Sequence, residues 1–287
     1  EIPSVELARV IGTGGSPSSV PNLLFYEKGM LKQNEGAAVP DINSLQVPAR
    51  QLMLPSALRA RGKAFVSMLA SRGCPNRCSF CTSGIVWGGT HRKRDAGDVV
   101  DEINRCVTEH EAAIINFEDD NLFPSKARAY EILEPLIRER ENRTSYPEFT
   151  AKNGISIERL DGEIISMMKR AGFRELHISL VSHSARVQES NARPFNSEHF
   201  MKIALSAVKS GFRVYGYFIL GLPGQSVQEA EETIGFMKKT GIRIFPSVYY
   251  NVHAPESQWK MQRSSAFFNE RPDFPRDELV RCFNSCG

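Results

Sequence analysis

From residue 64 onward, short apolar runs alternate with longer segments whose apolar positions recur every three or four residues. Residues 64–70 predict a first strand. Residues 98–108 predict a helix that carries Val99, Ile103, Cys106 and Val107 on one face. A second strand over 113–117 runs into Glu118-Asp119-Asp120, and a helix follows over 124–140. A third strand near 148–152 precedes a helix over 161–171 that Gly172 closes. Residues 175–181 predict a fourth strand and 197–210 another helix. A fifth strand over 213–220 ends in Gly221-Leu222-Pro223-Gly224. Ser226 and Glu229 then have capping-box spacing at the start of a helix to Thr240, and 243–251 predict a sixth strand.

Alternation of this kind predicts an α/β fold with parallel strands and helical crossovers. An open doubly wound sheet and a partial barrel both satisfy it. The first strand-to-helix turn carries cysteines where a dinucleotide fold would carry G-x-G-x-x-G. In a barrel, functional groups come from the loops at the C-terminal ends of the strands. The cysteines, the acidic run, Ser182 and the Gly-Leu-Pro-Gly turn all fall at that end.

Upstream the pattern is different. Residues 4–11 read as a short helix closed by Gly12. Residues 23–26 and 30–32 read as a hairpin about Glu27-Lys28-Gly29. Prolines and unphased apolar residues make 34–55 an extended linker. The expected division is an N-terminal extension over 1–60, a core over 61–258 and a short helical tail over 259–287. A chain that starts at Glu1 and stops at Gly287, soon after a new helical pattern at Asp277, reads as cut from a longer protein.

Composition narrows the class. With 287 residues, 41% hydrophobic and 24% charged, the chain is long enough for one large α/β domain and an appendage. A net charge of +3 gives no argument for nucleic acid, and His91-Arg92-Lys93-Arg94 reads as a solvated loop. No apolar stretch is long enough to span a bilayer, and no signal peptide is recognisable at the start. Clustered thiols without a disulfide pattern suit a reducing cytosol, so the expected location is cytoplasmic.

Three of the six cysteines fall in Cys74-Pro75-Asn76-Arg77-Cys78-Ser79-Phe80-Cys81. A loop of that length can aim three thiolates at one centre, which suits a soft metal or a cluster. Arg72 and Arg77 flank the thiols and are expected to favour the thiolate form. A structural zinc normally takes four ligands, whereas a [4Fe–4S] cluster held by three thiolates leaves one iron open. Cys106 reads as a core residue, and Cys282 and Cys286 as incidental thiols four apart on a terminal helix.

This C-x3-C-x-aromatic-C run resembles the signature of the radical S-adenosylmethionine (SAM) superfamily. The resemblance covers roughly residues 62–258 and implies a partial (β/α)6 TIM-type barrel. It implies that Cys74, Cys78 and Cys81 hold a [4Fe–4S] cluster, that SAM chelates the open iron, and that Phe80 packs beside the adenine. Glu118, Asp119 and Asp120 stand where the family places a motif for the SAM ammonium, although its commoner form is Gly-Gly-Glu. A local alternative is that Asp120 or Asn121 caps the next helix. Ser179 and Ser182 stand where the family contacts the ribose. Arg193 could meet the SAM carboxylate bidentately, or lie on the surface. Asn153 is a polar candidate at the barrel mouth. Gly221 resembles the fifth-strand glycine beside the adenine, with Gln225 near the place of the usual acid.

His177, His183 and His253 read as structural residues, and Tyr249 and Tyr250 as candidates for the wall of a substrate cavity. The resemblance implies one-electron reduction by flavodoxin or ferredoxin, cleavage of SAM to a 5′-deoxyadenosyl radical, and hydrogen abstraction from a substrate. The helix, hairpin, linker and Ser-Arg-Gly-Cys-Pro order further resembles cobalamin-binding radical SAM proteins, whose Rossmann-like cobalamin domain is absent from this chain. That implies a parent protein performing methyl transfer to an unactivated carbon, or a cyclisation. Two other classes fit three clustered cysteines: a zinc-stabilised binding module and an electron-transfer Fe–S protein.

Overall fold

The structure is a computed structural model that describes residues 2–36, 39–60, 62–193, 196–255, 257–258 and 265–287. The chain divides into two compact units, Glu1–Gln46 and Val47–Gly287. The expected break at 60/61 and the expected tail from 259 both fall against residues outside the described set.

In the first unit, helix α1 (Ile2–Thr13) runs one residue past Gly12. The stop is Gly14, whose φ of +68° lets the chain turn while Gly15 donates back to the Val10 carbonyl at 2.9 Å. Strands β1 (Leu24–Glu27) and β2 (Met30–Gln33) form the expected antiparallel hairpin. Lys28 and Gly29 both have positive φ, as a two-residue hairpin turn that matches strand twist requires.

The second unit holds two parallel triplets. Strand β3 (Arg59–Ala60) pairs antiparallel with the start of β4 (Lys63–Met68). Strand β5 (Ser71–Gly73) pairs antiparallel with β6 (His91–Lys93). Strands β7 (Ile114–Phe117) and β8 (Glu148–Thr150) complete the parallel set β4-β7-β8. Strands β9 (Glu175–Val181), β10 (Arg213–Leu220) and β11 (Arg243–Val248) form the second set, in that order. Among the described residues one parallel bridge, Phe149 to Phe173, joins the triplets, with hydrogen bonds from Phe149 N to Gly172 O at 3.1 Å and from Arg174 N to Phe149 O at 3.3 Å. The sheets do not close into a complete barrel among the described residues.

The helices are α2 (Ser83–Trp87), α3 (Ala96–His110), α4 (Lys126–Glu141), α5 (Gly162–Ala171), α6 (Ala185–Ser190), α7 (Ser197–Lys209), α8 (Val227–Lys239) and α9 (Arg276–Asn284). The core lies between helices and strands. Val66, Ile115, Phe117, Ile178 and Phe218 meet Ile103, Ile132, Leu133, Ile164 and Phe200 there, all 2% exposed or less. The rings of Phe117, Phe149 and Phe173 pack 5.5–6.1 Å apart across the junction of the triplets. Alternate strand residues point the other way, and along β10 Tyr215, Tyr217 and Ile219 are half-buried while their neighbours are buried. The inner faces therefore border open space, unlike the filled centre of a complete TIM barrel.

Two polar features fix parts of the core, one before β4 and one at the start of α8. Buried Glu102 on α3 binds both Arg50 and Arg94 at 2.6 Å, so the segment before β4 is tied to a helix by a satisfied ion triad. Ser226 and Glu229 form the expected capping box at α8. Burial alone would raise the Glu229 carboxyl, but the Ser226 amide, the Arg186 guanidinium and the Ser184 hydroxyl outweigh it and hold it at about 2. Among the described residues no helix is long and apolar enough to cross a membrane.

Candidate functional site

The first core strand delivers the cysteine loop through a support that periodicity does not reveal. The β5–β6 ribbon pairs Gly73 with His91 across 18 residues, and Gly73 has a φ of +86°. A Cβ there would lie 2.1 Å from the Thr90 carbonyl oxygen, so only glycine fits. His91-Arg92-Lys93-Arg94 is thus largely a strand: Lys93 pairs with Glu131 at 2.9 Å, Arg94 with Glu102, and Arg92 lies over the Trp87 ring at 5.4 Å.

Asp119 braces the same exit. Its carboxylate is 1% exposed and accepts hydrogen bonds from Ala70 N at 3.0 Å and from the Ser71 hydroxyl. Burial pushes it up to about 6, against the Ser71 hydroxyl, the Ala70 and Ser71 amides and the Arg128 charge, which favour ionisation. Asp120, one residue on, accepts from Gly73 N at 3.1 Å and lines an open cavity.

That cavity, about 440 Å³, is where the sequence candidates meet. Cys74, Cys78 and Cys81 border it as free thiols, with Phe80, Asp120, Asn153, Ser179 and Arg193. Burial pushes the Cys74 and Cys81 thiols up, opposed by the Asn76 amide at Cys74 and the Ser83 amide at Cys81. The cation that reaches a thiol is Arg193, with Nη1 3.7 Å from Cys78 Sγ. Arg72, expected beside the thiols, stands on the ribbon opposite Arg92, and Arg77 is exposed. Among the described residues, no three of His, Cys, Asp and Glu converge as a single metal ion requires.

The other candidates lie elsewhere. Glu118 points into the space between the strands, where its carboxylate accepts from Ser67 Oγ and Asn153 Nδ2, both at 2.8 Å. Ser182 is fully buried, and its Oγ is 3.3 Å from Thr233 Oγ1. At Gly221 the tight neighbour is Leu279 of α9, whose Cδ2 would lie 2.8 Å from an added Cβ. The cavity wall on β10 is instead Tyr217, Phe218 and Ile219. Tyr249 packs with Phe80 and Ile219 around Val181, Val187 and Leu222. His183 stacks on Phe236 at 4.3 Å, whereas His177 borders the cavity.

Several groups escape sequence reasoning. Asn121 Nδ2 bonds Ser156 Oγ at 2.8 Å and stands 3.8 Å from Cys74 Sγ. Asn191 accepts from Ser79 Oγ at 2.7 Å and so clamps the cysteine loop to α6. The β9–β10 register slips between Tyr217 and Phe218, and Val181 takes a φ of +73°, which is costly for a β-branched residue. Cys282 is buried in the core with Cys106, and the Cys286 thiol donates to the Cys282 carbonyl at 3.2 Å.

Comparison with known proteins places this geometry. A sequence model described as the Radical SAM superfamily matches residues 68–237. An uncharacterized methyltransferase of Pyrococcus horikoshii is 25% identical over 243 residues, covering 84% of this chain and 52% of its own length. The cytidylyl-2-hydroxyethylphosphonate methyltransferase of Streptomyces wedmorensis is 28% identical over 187 residues, covering 63% of this chain and 34% of its own. This chain therefore spans about half or less of those relatives. The structure of the radical S-adenosylmethionine methyltransferase TsrM from Kitasatospora setae, with cobalamin and a [4Fe–4S] cluster bound, superposes with a TM-score of 0.69. That likeness covers 86% of this chain and 49% of the other at 16% identity, and it shows a shared α/β TIM-type core.

Proposed function

The chain belongs to the radical SAM superfamily, and we propose that it is the catalytic core of a larger enzyme, with the cavity at Cys74, Cys78 and Cys81 as its cofactor site. The observation that carries this reading is the meeting of three free thiols and the polar side chains Asp120, Asn153, Ser179 and Arg193 on one cavity. Three thiolates suit a [4Fe–4S] cluster, the cofactor general to this family, and a cluster does not require the close convergence a single ion does. N–H donors from Arg193 and Asn121 toward sulfur are the contacts that stabilise anionic thiolates. When bound there, the cluster with SAM on its remaining iron would supply the one electron, drawn from an external reductant, that splits SAM into methionine and a 5′-deoxyadenosyl radical.

The chain's own residues orient and enclose. Asp120 takes the SAM ammonium, since it alone of the acidic run lines the cavity. Arg193 takes the SAM carboxylate, Ser179 and Asn153 the ribose side, and Phe80 one face of the adenine. The two triplets act as one partial (β/α)6 barrel joined at Phe149 and Phe173. The strained turn at Val181 re-aims the end of β9 toward the site.

For the full-length protein we propose cobalamin-dependent methyl transfer, because relatives of two kinds carry methyltransferase names and the TsrM structure holds cobalamin. Flavodoxin or ferredoxin is the proposed reductant and the cytosol the proposed location, where free thiols persist. The test is electron paramagnetic resonance of the anaerobically reconstituted, reduced chain with and without SAM. A [4Fe–4S]⁺ signal that moves on adding SAM supports the reading. A signal indifferent to SAM points to electron transfer, and bound zinc without a cluster overturns the reading in favour of a binding module.

A further inference from the structure

A second cavity of about 590 Å³ lies along the same inner faces, toward the N-terminal ends of the strands. It shares Lys152, His177 and Tyr217 with the cysteine cavity, so the two are neighbouring spaces with a common wall. Its character is distinct. Phe65, Tyr215, Tyr217 and Phe245 supply aromatic faces, with Tyr217 and Phe245 stacked at 5.6 Å and His177 on Tyr215 at 4.6 Å.

Four cations border this space against two carboxylates. Arg174 pairs with Glu148 at 3.3 Å and Arg213 with Glu175 at 2.9 Å, which uses both acids. Lys63 and Lys152 have no acidic partner among the described residues. The Lys152 ammonium lies over the Phe65 ring at 5.3 Å, and Lys63 is the next inward position along β4. Two uncompensated ammonium groups thus flank one aromatic face in a partly enclosed space. In a chain whose whole net charge is +3, this is a local excess. Two exposed ammonium groups beside an aromatic face gain most from an anion that hydrogen-bonds to them directly.

We infer that this second cavity binds the distal end of the substrate, and that this end is a flat conjugated carboxylate held between Lys63 and Lys152 against Phe65, Tyr215 and Phe245. The inference rests on the cysteine cavity being the SAM site. The carboxylate end then lies away from the thiols, and the rest of the molecule passes Tyr217 and His177 to present a carbon to the SAM side. Arg174 and Arg213 hold the wall and stay neutralised by their own acids.

The experiment measures calorimetric binding of biphenyl-4-carboxylate and of biphenyl-4-methanol to the anaerobically reconstituted 287-residue chain. The same titrations are run on Lys63→Gln, Lys152→Gln and the double variant. Both lysines are exposed, so these changes leave the fold intact. The expected result is that the acid binds at least about tenfold more tightly than the alcohol, as one charge-assisted contact provides. The double variant should bring the two probes to within about threefold, a residue of about 0.6 kcal/mol. Equal binding of acid and alcohol, a preference that survives the double substitution, or no binding of either at millimolar concentration overturns the inference. The SAM-dependent resonance shift is recorded on the same samples. Its loss in the unsubstituted chain refutes the SAM site alone, whereas a shift retained without a carboxylate preference refutes the second cavity alone.

Discussion

Arg193 brings its Nη1 to within 3.7 Å of Cys78 Sγ across 115 residues of sequence. The contact joins the segment after α6 to the cysteine loop, and Ser79 makes a parallel link to Asn191 through both its amide and its hydroxyl. One short stretch of chain therefore both positions the loop and supplies the guanidinium that reaches Cys78.

Arg193→Gln should weaken SAM binding about tenfold while leaving the iron content unchanged, because a bidentate guanidinium–carboxylate contact is worth about 1.5–3 kcal/mol. Arg193→Lys should not restore it, since an ammonium cannot present the same fork. Titration of the reduced cluster signal with SAM reads both variants. Unchanged SAM affinity in Arg193→Gln removes the carboxylate role.

Serine at Cys74, Cys78 or Cys81 should each abolish the visible cluster absorbance and bound iron after reconstitution. Serine at Cys286 should leave both near the unsubstituted level, because that thiol only donates to a carbonyl within its own chain end. Iron and sulfide analysis separates the two sets.

The Asp119 carboxyl has a folded value of about 6 against an ordinary 3.8. A carboxyl raised on folding contributes stability that is fully present below the unfolded value and lost as pH rises through the folded one. Relative to Asp119→Asn, the unsubstituted chain should lose about 2 kcal/mol of stability between pH 4 and pH 7. Urea midpoints of both proteins across that range give the difference. A constant gap would show that Asp119 titrates normally.

At the other sign, the Glu229 carboxyl is held at about 2 against an ordinary 4.5. Its contribution is present above the ordinary value and lost as pH falls toward the folded one. Glu229→Gln should cost ~1 kcal/mol at neutral pH through the charge lost from the contacts to Arg186 and the Ser226 amide, since glutamine can keep the capping-box geometry. Thermal melts should show the gap narrowing below pH 4.5 as the unsubstituted chain loses its advantage.

Gly73→Ala should prevent the β5–β6 ribbon from closing, given the 2.1 Å approach to Thr90 O and the positive φ. The expected loss exceeds the ~1–2 kcal/mol of an unfavourable left-handed residue alone. Failure to retain the cluster in an otherwise folded chain, seen by circular dichroism and iron analysis, checks it.

The alternating strands and helices were legible because each repeats its own period over many residues, and because Gly172 and the Ser226–Glu229 pair punctuate helices. The three cysteines were legible because their spacing is local. What escaped was set by tertiary contact. Three successive carboxylates look equivalent along the chain, yet Asp119 is buried against Ser71, Asp120 faces the cavity and Glu118 is bound by Ser67 and Asn153. The β5 and β6 strands are three residues each and pair over a gap no periodicity spans. The sequence offers Gly221 as room for a flat ring, and the structure shows Leu279, 58 residues on, as the side chain a Cβ there would meet. Lys63, Lys152 and Tyr217 were invisible as a group because they come from β4, the turn after β8 and β10, and meet only across the inner space.

The junction of the two triplets is narrow. Each triplet is a hydrogen-bonded ladder, β9–β10 with one slip, but among the described residues only Phe149 and Phe173 bridge between them, backed by three packed phenylalanine rings. Mechanically this is a seam. A small rotation about it would alter the bore that links the cysteines to the aromatic chamber below, and neither ladder would have to break a hydrogen bond. The aperture available to a substrate then depends on how those three rings seat against one another, together with the α4–α5 packing and the Arg140 guanidinium that spans the same seam.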